Sequence, residues 1–343
     1  RLEPAVRTEI ERRATRVEEL VARATSPATE LAEAYGSLGR VLDAHELPGA
    51  AARCYANAGR LAPGEFSWPY LHGQLALATG ATTSTATAKA AFSRALEISP
   101  DQPLALVGAA RAAALAGDWE ESRRLAERAL GRDPGLALAW SVLGNAQLGG
   151  GDAAGAATSL RRALQLQPAA TRIHGQLATA LARAGDAVGS QAEERLRGEG
   201  ILAIDDPWLQ QVADERLDAV GRRAAGERLF LAGDLANALV EFEAATAAAP
   251  DDPESRVGLG SALARSGRWP EAADQYREAL RRAPDHALAH FNLAVAVQQL
   301  AATADGDRRE RANTEALEHY RAALTADPGL DDARQNLANL LRR

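Results

Sequence analysis

The sequence predicts an all-α chain made by stacking one helix-pair unit many times. Three observations carry that expectation. Prolines recur at Pro100, Pro134 and Pro168, and again at Pro250 and Pro284, each step being 34 residues. Alanine fills the intervals, aromatics are only 4% and Met is absent, a balance that favours helices over sheets. A fixed set of residues also precedes each proline. It is clearest in Trp140, Leu143, Gly144, Gly151, Asp152, Ala156, Leu160, Ala163, Leu164 and Pro168. The same frame returns as Leu259, Gly260, Gly267, Ala272, Tyr276, Ala279, Leu280 and Pro284, and as Tyr35, Leu38, Gly39, Ala51, Tyr55, Ala58 and Pro63.

Bulk properties bound the rest. A length of 343 residues fits two domains or one elongated one. With 46% apolar and 25% charged residues, the chain reads as soluble with an extensive core. The balance of 39 Lys+Arg against 46 Asp+Glu leaves a net charge of −7, which argues against broad binding to nucleic acid or anionic membranes. A single cysteine, Cys54, excludes an internal disulfide framework and a multi-cysteine metal site. No apolar run is long enough for a membrane span. The chain opens at Arg1 with no basic-then-apolar leader, as a processed or trimmed chain would, and the missing initiator Met leans towards an exported or periplasmic location rather than a cytoplasmic one.

Taken in order, residues 1–25 read as an N-terminal capping helix over 4–24, with Pro4 at its first position and Val6, Ile10, Val17, Leu20 and Val21 on one side. Residues 26–197 hold repeats at 32–65, 66–102, 103–136, 137–170 and from 171 onward. The second carries three extra residues in the Thr/Ala-rich turn after Gly80, and the B helix of the fifth has Glu194 where others place a large apolar residue. Gly198, Gly200 and Pro207 interrupt helix in an irregular connector over 198–217, where Trp208 is expected to anchor the segment in the seam. Residues 218–330 hold repeats at 219–252, 253–286 and 287–330, the last with ten extra residues in its turn from Ala301 to Glu310. A capping helix over 331–343 closes the chain.

Each unit is two helices, A and B. Small residues at position 8 (Gly39, Gly73, Gly144, Gly226, Gly260) and position 20 (Ala51, Ala88, Ala156, Ala238, Ala272) let the two backbones approach. A larger residue at position 24 (Tyr55, Phe92, Leu160, Phe242, Tyr276, Tyr320) fills the gap to the next unit. Glycine at position 15 (Gly80, Gly117, Gly151, Gly185, Gly233, Gly267) supplies the left-handed residue that ends helix A. Asp118, Asp152, Asp186 and Asp234 then favour the start of helix B. No unit buries its apolar face alone, so stability comes from neighbours.

This pattern resembles the tetratricopeptide repeat over roughly residues 27–343, with eight positions recurring together. The resemblance implies a right-handed superhelical solenoid of about eight repeats with caps at both ends, no catalytic domain, and a role as a non-enzymatic protein-binding scaffold or adaptor. It further implies that A helices line a concave groove, with positions 2, 5, 9, 12 and 13 facing it. Carried onto this chain, that gives Arg40 and Asp43; Tyr70 and Gln74; Arg111; Ser141 and Asn145; Arg172, Thr179 and Arg183; Arg223, Glu227 and Phe230; Glu254, Ser261 and Arg265; and Phe291, Gln298 and Gln299, with Asn292 beside them. Asn145 matters most, because an amide at position 9 can bond a peptide backbone as donor and acceptor. Arg111, Arg172, Arg183, Arg223 and Arg265 could offer forks to carboxylates of an extended peptide, or stand as ordinary solvated arginines. No repeat carries the Lys and Asn pair at positions 5 and 9 with which the chaperone-binding branch holds a C-terminal carboxylate. The second reading is a subunit of a larger hetero-complex held through convex or end surfaces, where Trp68, Trp119, Trp208 or Trp269 could be exposed.

Chemistry is otherwise sparse. Gly258-Leu259-Gly260 starts like a dinucleotide loop but lies in a repeat helix, and Gly149-Gly150-Gly151 is a repeat turn. Cys54 reads as a packed small residue. His286 and His290 stand four apart, as in metal pairs, yet His290 occupies packing position 4, and His72 and His174 fall near the same face. Asp305 and Asp307 lack the remaining ligands of a calcium loop and read as a cap for a helix near Arg308. No metal, cofactor or catalytic residue is expected.

Overall fold

The computed structural model describes residues 2–23, 25–79, 82–302 and 305–342, so the expectation at Gly80 lies outside the described residues. Nineteen helices and no strand occur among them. The chain divides into two compact units, one of residues 8–213 and one of 214–343 together with 1–7.

In the N-terminal unit, α1 (Pro4–Ala22, counted with this unit from Thr8) precedes five helix pairs: α2 (Ala28–Ala44) with α3 (Pro48–Leu61), α4 (Ser67–Thr79) with α5 (Thr82–Ile98), α6 (Pro103–Leu115) with α7 (Trp119–Arg132), α8 (Ala137–Gly149) with α9 (Ala153–Leu166), and α10 (Ile173–Arg183) with α11 (Ala187–Leu196). From α2 to α11 each helix packs on the next, and the A helices α4, α6, α8 and α10 also touch in succession. A short α12 (Pro207–Ala213) ends the unit. The C-terminal unit repeats the scheme with α13 (Ala219–Ala232) and α14 (Leu235–Ala248), α15 (Pro253–Arg265) and α16 (Trp269–Arg282), α17 (Ala287–Ala302) and α18 (Gly306–Ala326), and a final α19 (Asp331–Leu341).

Local chemistry sets the turns. Gly117, Gly151, Gly185, Gly233 and Gly267 all have positive φ, a region that costs a residue with a Cβ. The aspartates that follow the first four cap the B helices: Asp118, Asp152, Asp186 and Asp234 accept from the backbone N–H groups of Glu121, Gly155, Gly189 and Asn237. Close packing explains the Gly-Leu-Gly run. A Cβ on Gly260 would lie 2.6 Å from the Tyr276 ring, and one on Gly258 would lie 2.8 Å from Cδ1 of Phe242, a fully buried ring that also presses on Gly226. The run is a socket for two aromatic rings, which leaves no room for a nucleotide there.

Several expectations are corrected. Val21 is 57% exposed, so the buried side of α1 within this unit rests on Val17 and Leu20. Among the described residues, the extra length of the second and eighth repeats does not form long turns. It lengthens helices instead: α5 has 17 residues and α18 has 21, where most B helices have 14. Asp305 precedes α18, but its side chain makes no capping bond and the helix already starts at Gly306. In the fifth repeat, Glu194 leaves α11 without a single buried residue.

A feature absent from the sequence pattern recurs through both units. Side chains at position 4 of the A helices, Trp140, Arg256, His290 and Arg334, each donate to the carbonyl of the proline six residues earlier, Pro134, Pro250, Pro284 and Pro328, at 2.6–2.9 Å. Proline provides no N–H of its own, and these bonds satisfy its carbonyl where helix B has ended.

Candidate functional site

The A-helix face of the N-terminal unit is partly occupied by the chain itself. After α11 the backbone runs non-helically from Arg197 to Asp206 and lies back on its own repeats. The backbone N–H of Arg172 donates to Gly200 O at 2.8 Å, and Gly200 N donates to Thr171 Oγ1 at 3.0 Å. Only glycine fits at 200, because a Cβ there would collide with the carbonyl of Ala169. The Gln167 amide then clasps Ala203 from both sides, donating to its carbonyl and accepting from its N–H, each at 2.8 Å.

Three residues further on, Asp206 is buried. One of its oxygens accepts from the N–H groups of Trp208 and Leu209, starting α12, and the other accepts from the Tyr70 hydroxyl at 2.5 Å. Gln74 donates to that same hydroxyl at 2.7 Å, so a polar relay runs Gln74–Tyr70–Asp206. Burial first, and then the Asp206 carboxylate, push the Tyr70 hydroxyl far above its ordinary range, so it stays protonated and donates. Half-buried Arg111 acts electrostatically on the same tyrosine, and burial holds its own pKa below the usual arginine value. Trp208 tilts against Phe66 and Tyr70, with ring centroids 4.8 and 5.1 Å away. α12 packs on the A helices α2 and α4, and Val212 joins the core formed with Leu38, Val41 and Leu71.

The structure sorts the expected groove residues into three kinds. Tyr70 is withdrawn as an open groove residue: it is fully buried and bonded within the chain. The arginines are not a row of free forks. Arg40 pairs with Glu33 and lies over the Trp68 ring, Arg172 pairs with Glu199, and Arg223 pairs with Glu227. Arg183 and Arg265, both at position 13, donate to Leu148 O and Phe230 O in the preceding A helix, and Arg265 also covers the Phe230 ring. These are ties between neighbouring repeats.

Others bond locally. Asp43 accepts from Tyr55, Thr179 and Ser261 bond back to their own helices, and Glu254 meets His286 at 3.0 Å. Asn292 reaches Ser261, Gln298 accepts from Tyr320, and Phe291 packs near that tyrosine. Ser141 is buried 3.5 Å from Gln176. Asn145 is half-buried and its amide makes no hydrogen bond among the described residues, and Gln299 is exposed.

Nothing among the described residues gathers three or more metal-ligating side chains. Burial pushes the Cys54 thiol up to about 11, and the residue packs in the first-repeat core. His290 is held by the proline bond described above and by His319, with the two Nδ1 atoms 3.0 Å apart. Because Nε2 of His290 faces a carbonyl and must carry the hydrogen, its Nδ1 is the acceptor and Nδ1 of His319 the donor. Trp119 is 37% exposed beside Gly149, Trp269 is partly covered by the C-terminal core, and Trp68 is buried.

Sequence reasoning missed the Tyr70–Asp206 bond, which joins residues 136 positions apart. The available signal was local: Asp205-Asp206-Pro207-Trp208 is a capping residue, a first-turn proline and an aromatic, in a stretch outside the repeats.

The fold and its A-helix face define a helix-pair repeat protein. Models of the tetratricopeptide repeat match residues 83–146, 223–287 and 259–331, together just over half of the chain. The chain belongs to the tetratricopeptide repeat family. Members of this family are generally non-enzymatic protein-interaction scaffolds. The TPR repeat-containing thioredoxin TTL4 of Arabidopsis thaliana is 36% identical over 84 residues, covering 24% of this chain and only 12% of that protein. Among solved structures, MamA 41-end from Desulfovibrio magneticus RS-1 is 18% identical with a TM-score of 0.44, covering 48% of this chain and 91% of that one. The TPR2AB-domain:pHSP90 complex of yeast Sti1 is 20% identical with a TM-score of 0.30, covering 75% and 90%. No helix among the described residues is long and apolar enough to cross a membrane.

Proposed function

We propose that this chain is a non-enzymatic scaffold that takes a segment of a partner protein along its A-helix face. The observation that carries the reading is the seat of residues 200–213: the turn before α10 holds non-helical backbone at Gly200, and Tyr70 of the A helix α4 takes Asp206 by a carboxylate contact and Trp208 by an aromatic contact. Those are the means by which a rigid helical face recognises a peptide with little ordering cost on its own side. Asn145 keeps its amide available on the same set of helices, and Arg111 supplies positive charge. The net charge of −7 argues for a protein partner over nucleic acid.

The test is capture of partners from the source-cell extract by the full chain and by an Asn145→Ala/Arg111→Ala variant, read by mass spectrometry. Loss of a partner from the variant, with helical content unchanged by circular dichroism, is the expected result. Equal capture by both chains would move binding off this face. A second reading, a subunit of a stable assembly held through convex or terminal surfaces, is favoured by the B helix α11, which leaves Val188 82% exposed and buries nothing.

A further inference from the structure

We propose that the Phe66–Tyr70–Gln74 face is a recognition site for a carboxylate–proline–aromatic segment, and that residues 200–213 occupy it until a partner segment of the same chemistry displaces them. This rests on the segment-binding reading above and names the ligand class for one face.

The chemistry of the seat is selective. Tyr70 is buried and its hydroxyl already accepts from Gln74, so its remaining proton is aimed at an acceptor. A carboxylate is the strong match, because one oxygen accepts from the tyrosine hydroxyl while the other caps the short helix that follows. Pro207 at the first helical position gives up an N–H that would have no partner, and Trp208 one residue later reaches Phe66 and Tyr70. Asparagine, or a carboxylate without the helix start, meets only part of this geometry.

The attachment is partial, as expected of an exchangeable occupant: Leu202 and Trp208 pack half-buried on the cores of the unit. Between Gly200 and Ala213, only Asp206 and Val212 are buried, while Ile201, Ile204 and Leu209 turn apolar side chains outward. A strut whose role was only to hold the unit together would bury those residues. Trp208 is half-buried and not fully enclosed.

Tethering sets the affinity that a competitor must overcome. A segment held by a short linker is present at an effective concentration of about 1 mM, so against an intrinsic Kd of about 10 µM it weakens an outside peptide roughly 100-fold.

The experiment uses the full chain and an opened variant, Asp206→Asn/Trp208→Ala, with fluorescence anisotropy of three labelled peptides. These are residues 200–213, a Gly/Ser peptide carrying only Asp-Asp-Pro-Trp, and a scramble of the first. Opening is expected to tighten binding of the first two about 100-fold and leave the scramble unbound, and adding Tyr70→Phe should remove most of that gain. Asp206→Asn alone, which keeps the tryptophan and the volume, should gain about 10-fold and serves if the double variant does not fold.

If only the 200–213 peptide binds, the segment is a structural part and the inference fails. If the scramble binds equally, recognition of this chemistry is overturned while a segment-binding face stands. If no peptide binds a folded opened chain, both readings fall for this face. An opened chain that dimerises, with the 200–213 peptide dissolving the dimer, would make a second copy the occupant and overturn a foreign partner.

Discussion

Gly258→Ala separates packing from helix propensity by the sign of its effect. In a helix interior, replacing glycine with alanine normally gains up to about 1 kcal/mol. Here the new methyl would stand 2.8 Å from Cδ1 of Phe242, well inside the roughly 3.5–4.0 Å that carbons prefer. The ring has little room to retreat, because Phe242 is fully buried and the Gly226 backbone lies so close to the same Cδ1–Cε1 edge that a Cβ added there would also be within 2.9 Å of it. Overpacking of such a site costs about 3 kcal/mol at the upper end of its range, leaving a net loss of about 2 kcal/mol. That corresponds to a melting shift of roughly 6 °C for a unit of this size. Gly131→Ala, in α7 with nothing near its would-be Cβ, is the control and should stabilise by a few tenths to about 1 kcal/mol. Urea unfolding followed by circular dichroism measures both. A Phe242→Leu background should relieve Gly258→Ala, giving a coupling of about 2 kcal/mol in the double-mutant cycle. If Gly258→Ala stabilises as Gly131→Ala does, or if Phe242→Leu brings no relief, the socket account is wrong.

Two further outcomes follow from buried titratable groups. Cys54, with its thiol raised to about 11 by burial, should react with a disulfide reagent at pH 8 only as the chain unfolds, so labelling should track the urea transition. His319 is lowered below its ordinary value first by burial and then by His290, with Glu315 and Glu318 opposing and Arg277 reinforcing that shift. A histidine whose folded pKa is depressed stabilises in its neutral form: the contribution is full above the unfolded value of about 6.5 and is lost as pH falls from there through the folded value. The urea midpoint of the C-terminal unit should therefore drop between pH 7.5 and pH 5.5, and His319→Gln should flatten that drop.

What could be read from the residues was whatever the 34-residue period encodes. The left-handed glycines, the aspartate caps and the position 8 against position 24 contacts are local or nearest-neighbour features, so spacing alone locates them. The extra residues were misplaced because a period counts residues and not their conformation. Thr82 to Ala91 carry enough helix-forming alanine to extend α5 rather than loop out. The candidate groove was legible as a list of positions and not as a surface. Position says which way an A-helix residue faces, but Glu199, Glu227 and the carbonyls of Leu148 and Phe230, which engage four of the arginines, are matters of side-chain reach. The seating of Asp206 on Tyr70 depends on a stretch with no repeat register at all.

The bonds from position 4 to the proline carbonyls bear on how such repeats diverge. An indole, two guanidiniums and an imidazole do the same work at four places, at nearly the same distance. What each repeat must keep is a donor of sufficient length, and the identity of the side chain is free to drift. Two repeats that share no residue at that site can still be interchangeable there, so an alignment scored by residue type understates their kinship, whereas one scored by the bond would place them in register.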